Sequence, residues 1–161
     1  MILIDSDVYA IHLMYPRDAR FALNQHFLSQ VRPIPKATTI FNLLEICGKA
    51  SFSLSLAALQ KLYRNFDKNY RVRVLFPKTQ DLSGEEFLQR VLIQRSLHKI
   101  LTRMAFLDAL ILSTAEDYPE IDTFVTWNAR HFRGKTSLSV LTPREYLEER
   151  RQAGGAGNAP A

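Results

Sequence analysis

The chain opens with an apolar run, Ile2-Leu3-Ile4, that passes without alternation into a polar cluster, Asp5-Ser6-Asp7. A short, continuously apolar run that stops at a turn signal suits a strand buried on both faces, and strands of that kind belong to parallel sheets. Asp5 then stands at the carboxyl end of the first strand, the edge at which open α/β sheets place ligands and chemistry. Asp5, Ser6 and Asp7 are also good helix N-caps, so a capping role for any of them competes with a chemical one.

The rest of the chain is consistent with that beginning. Val8 to Met14 predicts a short helix ending before Pro16, and Arg17 to Val31 carries Phe21, Leu23, Phe27, Leu28 and Val31 at helical spacing. Pro33 and Pro35 force an extended link. Helices are expected from Ala37 to Cys47 and from Leu54 to Phe66, followed by a second strand over Arg71 to Phe76. Ser83 with Glu86 forms a capping-box pattern opening a helix to about Leu101. A very apolar helix follows over Met104 to Glu116, then strands at Thr123–Trp127 and Leu138–Leu141, and a last helix, Arg144 to Arg151, with Pro143 at its first turn. Strands separated by helices predict one α/β domain over residues 1–152, a sandwich around a mostly parallel sheet of about four strands. Residues 153–161, rich in Gly and Ala, are expected to form a disordered tail.

Composition narrows the function classes. At 161 residues, 47% of them hydrophobic and 23% charged, the chain can bury a sizeable core. Cys47 is the single cysteine, which excludes an internal disulfide or a cysteine-based metal cluster and fits a reducing cytoplasm. The start lacks the pattern of a secretory signal, and no apolar run has the length of a membrane span. A net charge of +5 favours a polyanionic partner, nucleic acid first.

The carboxylates carry the chemistry. Asp108 has Met104, Ala105, Ile111 and Leu112 as its helical neighbours, all apolar. A carboxylate there costs several kcal/mol, roughly 2–7 for a buried polar group, unless a cap, a distant Arg or a metal compensates it. Glu45 stands four residues before Lys49, in the favourable order for a solvated ion pair. Asn128 follows a strand and so shares the edge with Asp5; its plain role is a turn or a cap. Hard oxygen donors gathered at one edge suit Mg²⁺ or Mn²⁺, which hydrolyse phosphodiesters by activating water and stabilising the leaving oxygen.

Ile4-Asp5-Ser6-Asp7, Thr39 to Glu45, Leu107-Asp108-Ala109-Leu110-Ile111 and Val125-Thr126-Trp127-Asn128 running on to His131-Phe132 together resemble the PIN-domain ribonucleases of the VapC-type toxin group. Val140 to Leu147 resembles that family's closing strand and helix. The blocks occur in the family's order across nearly the whole folded chain. The resemblance implies a PIN-like three-layer sandwich that cleaves single-stranded RNA with Mg²⁺ or Mn²⁺. It carries the acidic, metal-holding positions onto Asp5, Glu45 and Asp108. It also implies a homodimer and a small antitoxin protein that blocks the site. Asn128 stands where many relatives have a fourth acid, and it coordinates or hydrogen-bonds without adding charge. Asp7 and Glu116 are placed as minor helpers. Arg130, Arg133 and Lys135, with Arg17 and Arg20 behind them, are candidate phosphate contacts. His131 reads as a packed loop residue, His98 as part of an amphipathic helix, and Trp127 as a residue packed at the sheet.

Two other readings stay open. Asp5-Ser6-Asp7-Val8 also resembles the aspartate-nucleophile motif of haloacid-dehalogenase-type phosphatases, in which Asp5 would be the nucleophile and Asp7 the acid/base. Asn128 favours a PIN-like module that binds RNA or a partner without cutting.

Overall fold

Residues 1–78 and 82–155 are described by the computed structural model. Ile2–Ile4 form β1, every residue buried, at the centre of a five-stranded sheet of order β3-β2-β1-β4-β5. The other strands are Lys36–Thr39 (β2), Arg73–Leu75 (β3), Thr123–Val125 (β4) and Ser139–Leu141 (β5). All four pairings are parallel, and β1 meets β4 in the register Ile2 to Thr123, Leu3 to Phe124 and Ile4 to Val125. The expected sheet therefore gains a strand. β2 lies where an extended link and the start of a helix were read, because three of its four residues are Lys36, Thr38 and Thr39 and no apolar run marks it.

Helices cover both faces. Leu3 faces a core with Phe124, Val140 and the inner face of α7 (Phe106–Ala115), namely Ala109, Ile111, Leu112 and Ala115. Ile2 and Ile4 point the other way, towards Val8 and Tyr9 of α1 (Ser6–Met14), Phe27 of α2 (Phe21–Gln30), Leu43 and Ile46 of α3 (Ile40–Ala50) and Phe66 of α4 (Leu56–Tyr70). This is a PIN-like three-layer sandwich. The alternation along β1 sends successive side chains into opposite layers, as the strand's period of two requires.

The capping box at Ser83 is present, and its helix proceeds as α5 (Gly84–Glu86), a π-helical turn (Phe87–Gln94) and α6 (Arg95–Ile100). The last strands are linked by α8 (Ala129–Phe132). The final helix, α9 (Pro143–Gly155), continues past Arg151, so the tail expected from residue 153 begins inside it, and residues 156–161 lie outside the described residues. Among the described residues no helix is long and apolar enough to cross a membrane.

From β1 the chain moves outward to β2 and β3, then returns across the sheet to β4 on the other side of β1. The carboxyl ends of β1 and β4 thus flank a point where the strand order reverses, which in open parallel sheets leaves a crevice for ligands. Asp5 ends β1 there, and Thr126, Trp127 and Asn128 follow β4.

Candidate functional site

Asp5 caps α1 and is itself held by tertiary contacts. Its backbone N–H donates to Val125 O at 3.0 Å, extending the β1–β4 ladder. Its Oδ1 accepts from the Ser6 backbone N–H at 2.7 Å and from Asn42 Nδ2 at 2.9 Å. Asn42 is placed by a capping box at the start of α3, where its Oδ1 accepts from the Thr39 N–H and hydroxyl. The capping and chemical roles left open for Asp5 are therefore compatible: one oxygen caps the helix, and the residue sits at the carboxyl edge of the sheet. Burial, then the charge of Asp7, holds Asp5 well above the usual carboxylate range.

Glu45 lies one turn along α3 from Asn42. Its Oε2 accepts from Ser6 Oγ at 2.6 Å, and its Oε1 pairs with Lys49 Nζ at 2.7 Å. The expected i,i+4 pair is formed with the lysine partly open to solvent, and Lys49 also feels the charges of Asp5 and Asp7. Asp108 is in the first turn of α7, half-buried, with Oδ2 3.5 Å from His131 Nε2. Its pKa is raised, chiefly by burial, with Glu45 adding to the rise and His131, Lys135 and Lys49 opposing it. His131, read as a loop residue, is therefore Asp108's neighbour.

Asp7 is more than a helper. Its Oδ2 accepts from Thr126 Oγ1 at 3.0 Å and the Trp127 backbone N–H at 2.9 Å, while its Oδ1 is buried with no hydrogen-bond partner. Burial pushes its pKa up to about 6. Asp7 fastens the segment after β4 to α1. Asn128 is exposed; its backbone N–H donates to Thr126 Oγ1 at 3.1 Å, and its side chain makes no capping bond to α8. Trp127 packs as expected, with Nε1 donating to Asn24 Oδ1 at 2.8 Å and Arg20 stacked 5.7 Å from its ring centre.

Glu116 is not part of this edge. It lies beyond the far end of α7, paired with Lys99 at 2.8 Å and accepting from Thr136 Oγ1 at 2.7 Å. The three basic candidates differ. Arg130 is exposed, Lys135 acts on Asp108 while donating to Arg103 O at 2.9 Å, and Arg133 is engaged by Glu145 at 2.6 Å and by Val140 O at 3.2 Å. Ser6, Asn42, Lys49 and Thr126 also contribute, although the sequence marks Ser6 only as a cap and Lys49 only as an ion-pair partner. Their partners are 39, 37, 4 and 119 residues away, so only the short Lys49 spacing left a local signal.

A hard divalent cation is tested by these donors in two ways. Their chemistry fits: carboxylate oxygens only, those of Asp5, Asp7 and Asp108 raised in pKa chiefly by burial, with one buried oxygen of Asp7 unpartnered. Their arrangement is not a closed ligand set: among the described residues, no group of three or more His, Cys, Asp or Glu side chains is placed to hold a metal ion. Both oxygens of Glu45 are taken by Lys49 and Ser6.

No protein-family model matches the chain, and no curated protein matches it. Solved structures do. A chain in the structure of FitAB bound to an IR36 DNA fragment is 16% identical with a TM-score of 0.58, covering 89% of this chain and 95% of that one. FitAcB from Neisseria gonorrhoeae matches at 16% identity and a TM-score of 0.58, over 89% of this chain and 99% of that one. VapBC-1 from nontypeable Haemophilus influenzae matches at 16% identity and a TM-score of 0.60, with the same 89% and 99% coverage. At such identity the likeness is one of fold, which this chain shares with these FitAB and VapBC-1 chains over 89% of its length.

Proposed function

We propose that this chain is a metal-dependent endoribonuclease for single-stranded RNA, the toxin of a toxin–antitoxin pair acting in the cytoplasm. The observation that carries the reading is Asp5 at the end of β1, beside the reversal of an all-parallel sheet, with the charge of Glu45 acting on both Asp5 and Asp108. Mg²⁺ or Mn²⁺ would have to draw these three around itself, since among the described residues they form no closed ligand group without it. Bound there, the ion would supply an activated water and neutralise charge on the phosphate oxygens. The chain's own residues do the positioning. Ser6 and Asn42 fix Asp5, Ser6 also fixes Glu45, and His131 faces Asp108. Arg130, exposed on α8, and Lys135, whose charge acts on Asp108, would meet the RNA backbone, with the exposed Asn128 after β4. Arg133 is committed to Glu145 and contributes mainly to the fold.

A partner protein and a second copy belong to the same reading. Among the described residues, the four most exposed large apolar side chains lie in two places: Phe52 (92%) and Leu56 (73%) at the turn from α3 to α4, and Leu101 (76%) and Phe106 (57%) between α6 and α7. Clusters of this kind mark interaction surfaces more often than they mark plain solvent faces.

Asp108→Asn tests the reading. It keeps the shape and removes the charge, so Mn²⁺-dependent cleavage of a single-stranded RNA should fall at least ~100-fold, in line with loss of a metal-held nucleophile. Unfolding in EDTA should show an apo protein no less stable, because crowding among carboxylates is relieved. A folded Asp108→Asn protein that cleaves like the parent would overturn the assignment. The absence of a closed ligand trio favours one second reading, a PIN-like partner-binding module without activity. Failure of the parent to cleave RNA with any divalent ion would select it. The phosphatase reading fits less well, since one oxygen of Asp7 is bound to Thr126 and Trp127 and the other is buried, out of reach of a substrate.

A further inference from the structure

We propose that Lys49 is a built-in counter-ion of the acidic edge, which a divalent cation must displace from Glu45 before the site can load. The inference rests on the nuclease reading for the identity of the site, and on Lys49's own contacts for the rest. Lys49 Nζ is 2.7 Å from Glu45 Oε1, and Ser6 Oγ donates to Oε2 at 2.6 Å, so an ion approaching Glu45 meets a partner on each oxygen, one of them a full positive charge. On an open helix face an i,i+4 Glu–Lys pair is weak and easily exchanged. Here the ammonium, though partly exposed, also feels the charges of Asp5 and Asp7 and lines a cavity beside Asp7. It also opposes the charge of Asp108. One side chain thus answers all four acids, and it does so where no three of the described acidic side chains form a metal-holding group.

Space for the exchange is present. Lys49 lines a cavity of about 260 Å³ together with Asp7, Tyr15 and Arg20, into which the flexible lysine stem can swing when Glu45 releases it. A divalent cation entering the edge meets a unit positive charge already in place. Removing that charge leaves the carboxylates uncompensated and free to coordinate. An ordinary helix salt bridge with no part in the site would leave metal binding untouched.

The experiment is calorimetric titration of the full chain with MnCl₂, comparing the parent with Lys49→Met and Lys49→Arg, each first shown to be folded by circular dichroism. Lys49→Met should bind Mn²⁺ about tenfold more tightly, the size expected from deleting a unit charge beside a partly solvated cation site. Lys49→Arg keeps the charge and should stay within about twofold of the parent. A Lys49→Met protein that binds no more tightly than the parent would sink the proposal, as would tightening of the same size in Lys49→Arg. RNA cleavage is measured separately at saturating Mn²⁺. The expected binding order without cleavage removes the nuclease reading and leaves Lys49's role standing. The absence of Mn²⁺ binding in both the parent and Lys49→Met removes both.

Discussion

Asp7 shows at the scale of one residue what an acidic edge costs. Its carboxyl is buried, one oxygen bonded to Thr126 and Trp127 and the other unpartnered, and its pKa stands at about 6 in the fold. A carboxylate raised on folding favours the native state while it is protonated. The contribution is complete below the ordinary value of 3.8 and is lost as the pH rises to about 6. The loss is on the order of 3 kcal/mol, and Asp5 works in the same direction. Asp122 and Glu145, lowered in the fold, do the reverse and complete their gain at more acid pH. In EDTA, Asp7→Asn should therefore gain stability relative to the parent as pH rises from 4 to 7. A Tm difference flat across that range would show that Asp7 ionises freely. Asp108 was legible in the sequence because a carboxylate among apolar helical neighbours demands compensation. The burial of Asp7 was not, because it depends on a segment 119 residues away.

Among the elements, β2 was hidden by its own chemistry. All four of its residues are buried, yet Lys36, Thr38 and Thr39 give no apolar pattern. Each polar group is satisfied internally instead. Lys36 Nζ donates to Val31 O at 3.0 Å and Arg32 O at 3.1 Å, closing the carboxyl end of α2; Thr38 Oγ1 donates to Ile4 O at 3.0 Å; and Thr39 caps α3. A reading based on hydrophobic period finds strands that are buried because they are apolar. It misses one buried because its polar groups have partners, and with it the capping box that delivers Asn42 to Asp5. Lys36→Met tests this account. The substitution looks favourable for a buried strand, but it strands the carbonyls at the end of α2. Urea unfolding should show a loss of about 1–3 kcal/mol. A more stable Lys36→Met protein would mean that those carbonyls find water instead. The strands β1 and β4, by contrast, were legible because buried parallel strands are apolar on both faces.

At the scale of the whole molecule, the order β3-β2-β1-β4-β5 places the reversal beside Asp5, and the net charge of +5 draws a polyanion towards the chain. The layers and the edge could be expected from the order of apolar runs. The division of labour among the basic residues could not, since Arg130, Arg133 and Lys135 differ only in what the fold sets beside them. Arg133 bridges Val140 O and Glu145 and ties β5 to α9, whereas Arg130 is exposed and Lys135 faces Asp108. Binding of a single-stranded RNA should weaken as salt rises, with a slope set by the number of phosphates contacted. For single strands each contact contributes about 0.7 to the slope of log affinity against log salt. If Arg130 and Lys135 each meet one phosphate, replacing both with Ala should flatten that slope by about 1.4. Arg133→Ala should leave the slope alone and lower the melting temperature instead, since its guanidinium is committed to internal partners. The measurement is fluorescence anisotropy with a labelled oligonucleotide across a salt series in EDTA, where nothing is cut. An unchanged slope in the double variant, or a flattened one in Arg133→Ala, would put the RNA on the Arg133 side of α8 and move the path away from Asp108.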